Sequence, residues 1–62
     1  ALTGPVVRGD ANTVAAHLEA LHAQPCEIQE LYRTSARQLV TIARRRGTPE
    51  ERIQAILQLI QE

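Results

Sequence analysis

Four side chains near the start of the chain carry groups suited to chemistry. They are the guanidinium of Arg8, the carboxylate of Asp10, the hydroxyl of Thr13 and the imidazole of His17. Arginine can hold a carboxylate or phosphate through two parallel hydrogen bonds. Histidine titrates near neutrality and can give or take a proton there, so His17 is the candidate catalytic group. Asp10, Thr13 and His17 are spaced by three and four residues, which sets them along one flank of a helix, with Arg8 just upstream. Four different polar functions thus gather at one junction between loop and helix, a place where binding residues are often carried. Taken singly, each has a plainer role. Asp10 suits an N-cap, Arg8 and Asp10 a surface pair, Thr13 a first-turn position and His17 a helix edge.

The elements that must position these groups are helical. Gly4-Pro5 and Gly9 read as turn signals in a loop leading into the first helix, expected at about 11–23 behind Asp10. Val14, Leu18 and Leu21 form its apolar stripe. Gln24-Pro25 ends it, because a residue before proline is pushed out of the α region. His22 reads as a solvated last-turn residue. The second helix is expected at about 26–46, with Ile28, Leu31, Tyr32, Ser35, Leu39, Ile42 and Ala43 on one broad face. Arg33, Arg37 and Arg44 lie on its far side with Glu30. The third helix is expected at about 49–61. Thr48 reads as its N-cap, Pro49 as N1 and Glu51 as the N3 partner of a capping box. Ile53, Ile56, Leu57 and Ile60 make its stripe, and Leu59 falls off it, free to touch a partner. With no alternating strand pattern, the chain is expected to be all-α with three helices.

Size and composition limit what such a chain does alone. At 62 residues and without Phe, Trp or Met, its core is poor in bulk. A domain of this size buries only roughly 60% of the surface its unfolded chain exposes. Cys26 is the sole cysteine, so no disulfide staples the chain, and with His17 and His22 it makes no metal-ligand pattern. The leucine and isoleucine stripes of the last two helices exceed what they can cover on each other, which points to a homo-oligomer, a dimer in the simplest case. Net charge is zero, and all seven basic residues are arginine. No bulk attraction to nucleic acid or membrane follows. The Arg44-Arg45-Arg46 triplet closes a helix ahead of Gly47 and reads as a C-terminal cap more than a nucleic-acid patch. No apolar run approaches a membrane span, no signal peptide is visible, and a lone thiol suits a cytoplasmic setting. The chain opens on Ala1-Leu2 without a methionine and is expected to be the C-terminal part of a longer protein.

Leu2-Thr3-Gly4-Pro5-Val6-Val7-Arg8-Gly9-Asp10, with Thr13-Val14 and His17-Leu18, resembles the entry to a helical C-terminal domain in a family of Rossmann-like, NADP-binding proteins of unassigned activity. These are relatives of the ketopantoate reductase, pyrroline-carboxylate reductase and 6-phosphogluconate dehydrogenase group. Leu31-Tyr32-Arg33, the helix through Ala43, the Gly47 break and the short last helix are similar too, so the resemblance covers essentially all 62 residues. It implies an N-terminal dinucleotide-binding domain, absent here, since no G-x-G-x-x-G fingerprint occurs in the chain. The fragment alone is therefore expected to bind no cofactor and to have no redox activity, with NADP expected for the full-length protein. It further implies that residues 1–62 form the substrate-side and dimerisation domain of an NADP-dependent oxidoreductase, with Arg8, Asp10, Thr13 and His17 facing the substrate cleft. The alternative is a helical docking or dimerisation module with no catalytic role.

Overall fold

The computed structural model describes residues 4–61, and all of its regular structure there is helical. Four helices follow one another: α1 (Pro5–Arg8), α2 (Ala11–Leu21), α3 (Cys26–Arg45) and α4 (Glu50–Ile60). The three expected helices are α2, α3 and α4. Their ends differ little from expectation: α2 stops at Leu21, short of 23, while α3 ends one residue early and α4 starts at Glu50. The added element is α1, a single turn formed where the sequence suggested a loop. Pro5 sits at its start, where a fixed φ suits the helix and a missing N–H costs nothing.

Glycine ends two of the helices in the same way. Gly9 has φ +74° and Gly47 φ +85°, both left-handed. At the first, the Gly9 N–H donates to the Val6 carbonyl and the Asp10 N–H to the Pro5 carbonyl. At the second, the Gly47 N–H donates to the Arg44 carbonyl and the Thr48 N–H to the Ala43 carbonyl. Each is a Schellman turn, which satisfies carbonyls that the helix itself leaves open. The two turns touch. A Cβ placed on Gly9 would lie 2.9 Å from both Thr48 Cγ2 and Arg52 Cβ. The Thr48 hydroxyl donates to the Val7 carbonyl at 2.6 Å, serving an open acceptor at the end of α1.

That bond overturns the expected capping box. Thr48 makes no cap to α4, Pro49 holds the N-cap position, and Glu51 is exposed. Glu50 takes over the charged role at this end. Arg44 grips it with two hydrogen bonds, Nε to Oε1 at 3.2 Å and Nη2 to Oε2 at 2.8 Å. The first arginine of the triplet thus ties the end of α3 to the start of α4. Aided by a third donor, Gln54 Nε2, it holds the Glu50 carboxyl down at about 2.

The core is built from Val6, Val14, Ala36, Val40, Ala43, Ile53, Ile56 and Ile60. No polar residue is buried among the described residues. Here α3 departs from the expected face. Its buried side is Ala36, Val40 and Ala43, with Tyr32 and Leu39 half-buried, while Ile28 and Leu31 stay 44% and 64% exposed. The packed face is turned from the expected one by less than one residue, since Tyr32, Leu39 and Ala43 belong to both. Two small side chains, Ala36 and Ala43, allow the neighbouring helices to approach there. Leu59, expected to lie off the stripe, packs against the core between α2 and α4. No helix is long and apolar enough to cross a membrane among the described residues.

The glycine turns make an unequal pair for mutation. Alanine at Gly47 meets open space and only the left-handed backbone cost, about 1–2 kcal/mol. Alanine at Gly9 must also displace Thr48 and Arg52, an overpacking cost of about 1–3 kcal/mol more. Urea melts of Gly9→Ala and Gly47→Ala are expected to show this order. Equal midpoints would mean that the two turns are not in contact.

Candidate functional site

The Schellman turn at Gly9 delivers Asp10 directly to the N-terminus of α2, and both carboxylate oxygens are then engaged. Oδ1 accepts from the Thr13 amide at 3.2 Å, and Oδ2 accepts from the Thr13 hydroxyl at 2.7 Å. The Arg8 guanidinium stands 3.8 Å from the same Oδ2. The Thr13 hydroxyl and then its amide hold the Asp10 carboxyl below its ordinary value, with Arg8 adding a smaller pull. Asp10 is therefore an ionised cap. Its acceptors are committed to the helix, which leaves it poorly placed to serve as a base.

His17 does not join this group. Seven residues along α2 from Asp10, it lies about 10 Å further down the axis. Its Nδ1 is 3.0 Å from the hydroxyl of Tyr32 on α3, and the two rings meet edge to face with centroids 5.9 Å apart. Burial raises the Tyr32 hydroxyl above its usual value, so the phenol keeps its proton at neutral pH and is available as a donor. With the imidazole proton on Nε2, Tyr32 donates to Nδ1, and the Nε2–H remains for another acceptor.

Two clefts follow from this division. One, of about 480 Å³, is open and runs along Arg8, Gly9, Asp10, Ala11 and Asn12 to Arg52 of α4. It brings a second guanidinium beside the α2 N-terminus. The other, of about 160 Å³, has His17, Tyr32 and Ser35 with Pro5, Val6, Ala36 and Leu39 around it. The four sequence-selected residues are thus split. Arg8, Asp10 and Thr13 form one hydrogen-bonded and ionic chain, and His17 belongs with Tyr32. Sequence reasoning placed Tyr32 only on an apolar face and did not single out Arg52. Nothing local marks Arg52, which comes to Gly9 through the fold.

An all-helical domain with a capped, arginine-bearing junction at α1–α2 is the class that fold and site define. The family model "Domain of unknown function (DUF2520)" matches residues 1–39, which takes in α1, α2 and the first two-thirds of α3. The chain belongs to this family. No curated protein and no solved structure matches the chain.

The state of Asp10 gives a pH dependence with a definite sign. A carboxyl lowered in the folded state stabilises the fold above its unfolded value, and that stability fades as pH falls through the folded value. Asparagine caps a helix about as well but carries no charge. Between about pH 5 and about pH 2, the melting temperature of the wild type is expected to fall further than that of Asp10→Asn. Glu50 titrates in both proteins and cancels in the difference. Parallel curves would show that the carboxylate adds nothing beyond an uncharged cap.

Proposed function

We propose that the chain is the substrate-side and dimerisation domain of an NADP-dependent oxidoreductase, the C-terminal part of a two-domain protein. The observation that carries this reading is the α1–α2 junction. It sets the half-exposed Arg8 side chain beside an open cleft with Arg52 on its other wall, and it fixes Asp10 so that the arginine is held without the carboxylate being free to react. Such a cleft suits a small substrate with a carboxylate or phosphate group. The resemblance of the Thr3-to-His17 string to a cleft-facing loop supports it, and so does the family match, which includes every residue of that string.

A nicotinamide dinucleotide does not fit the residues of this chain. The left-handed glycine that could let a pyrophosphate approach the α2 N-terminus is Gly9, and its open side is filled by Thr48 and Arg52. The cofactor would be held by the other domain. What this chain supplies is a guanidinium for an anionic group, and an imidazole steadied by Tyr32 that can offer its Nε2–H to a carbonyl or hydroxyl oxygen.

Two measurements test the reading. NADPH fluorescence is expected to show no saturable binding to the 62-residue chain at micromolar ligand, and clear saturation there would end the two-domain interpretation. In the full-length protein, Arg8→Ala and His17→Ala are expected to weaken substrate binding or turnover by about tenfold or more while leaving the melting temperature nearly unchanged, as surface substitutions usually do. Destabilised variants with intact binding would make the junction scaffold and favour a docking module without catalysis.

A further inference from the structure

The longest helix has two sides. One is the packed face of Ala36, Val40 and Ala43. On the other, Glu27, Leu31, Ser35, Gln38, Ile42 and Arg45 recur at spacings of four, four, three, four and three, a single stripe along α3. All are exposed except Ile42, which is half-buried. Ile28 flanks the stripe, and Ile28 and Leu31 are the large hydrophobic residues that the described fold leaves open. A monomer gains nothing from them there.

The stripe is self-complementary when reversed. Glu27 and Arg45 are centred on position 36, Leu31 and Ile42 between 36 and 37, and Ser35 and Gln38 likewise. We infer that α3 pairs antiparallel with α3 of a second copy of the chain, about a two-fold axis near Ser35 and Gln38. Glu27 of each copy then lies by Arg45 of the other, and Leu31 lies against Ile42. The small Ser35 at the axis permits close approach of the two helices. A two-fold interface is isologous, so it requires such a reversed match of a surface with itself.

The ionic pattern of α3 favours a second copy as occupant. Glu30 lies within 4 Å of both Arg33 and Arg37, at 3.8 and 3.9 Å, and Arg44 holds Glu50. Glu27 and Arg45, by contrast, form no ion pair among the described residues. Of the charged residues of α3, the two that form no ion pair with a described residue are the two that the antiparallel register brings together. A parallel pairing would set Glu27 against Glu27 and Arg45 against Arg45.

This deepens the dimerisation half of the reading above by naming the face and its direction. Sedimentation velocity of the 62-residue chain at micromolar concentration is expected to show a dimer. Leu31→Asp should give a monomer with unchanged helical circular dichroism, since the side chain is outside the core. Glu27→Arg should weaken the dimer by about tenfold, and Glu27→Arg with Arg45→Glu should restore it, because two exposed pairs per dimer are first reversed and then rebuilt. The charge variants touch no buried residue and decide the matter even if Leu31→Asp lost helix. A monomeric wild type would overturn both this pairing and the dimerisation reading. A dimer indifferent to Leu31→Asp, or one not rescued by the double exchange, would overturn the pairing alone.

Discussion

The fold depends on a contact between two turns. Gly9 and Gly47 each reverse the chain with the same pair of backbone hydrogen bonds, and the residue after Gly47 locks onto the first turn. Thr48 places its methyl against the open face of Gly9 and its hydroxyl on the Val7 carbonyl. One side chain therefore closes a gap and satisfies an acceptor at once. Because the turn at Gly9 also aims Asp10 into α2, the geometry of the polar junction is inherited from this contact. The arginine cleft beside it is bounded by Arg52, which stands one helical turn beyond Thr48 on the same side.

Separation of charge from imidazole gives the candidate site its character. The Arg8, Asp10 and Thr13 chain is an electrostatic fixture whose carboxylate is already spoken for by the helix. His17 lies apart and takes its orientation from Tyr32. The guanidinium and the imidazole thus lie in different surroundings, about two turns apart along α2. A substrate serving both would have to extend along that helix, with its charged end at the α1–α2 corner.

Local features were legible in the sequence, and features made by distant residues were not. Asp10 as a cap was readable because its partner is three residues away and the motif is complete within the helix start. Thr48 had an equally clean local motif, yet its hydroxyl serves a carbonyl 41 positions away, so the capping box never forms. The turn at Pro5–Arg8 was hidden because proline and glycine mark loops and helix ends alike. In α3 the period was right and the face was right in part: Tyr32, Leu39 and Ala43 pack, whereas Ile28 and Leu31 do not. Both sides of the helix carry apolar residues, and the buried positions outside the expected face are Ala36 and Val40. The pairing of His17 with Tyr32 spans 15 residues and two helices, beyond any local rule.

The short first helix has a kinetic consequence. Four residues cannot sustain a helix alone, since a nucleus of that size is unfavourable without outside support. Its support comes from α3 and from Thr48 and Arg52, the last two more than forty residues away. Helices α2, α3 and α4 can each form from near neighbours, whereas α1 must wait until a long loop has closed. The amides of Arg8, Gly9 and Asp10 therefore report on completion of the whole fold. In hydrogen exchange they should open with the loss of long-range closure, well apart from the fraying of the individual helices. The α1–α2 corner thus depends on contacts that only the closed chain provides.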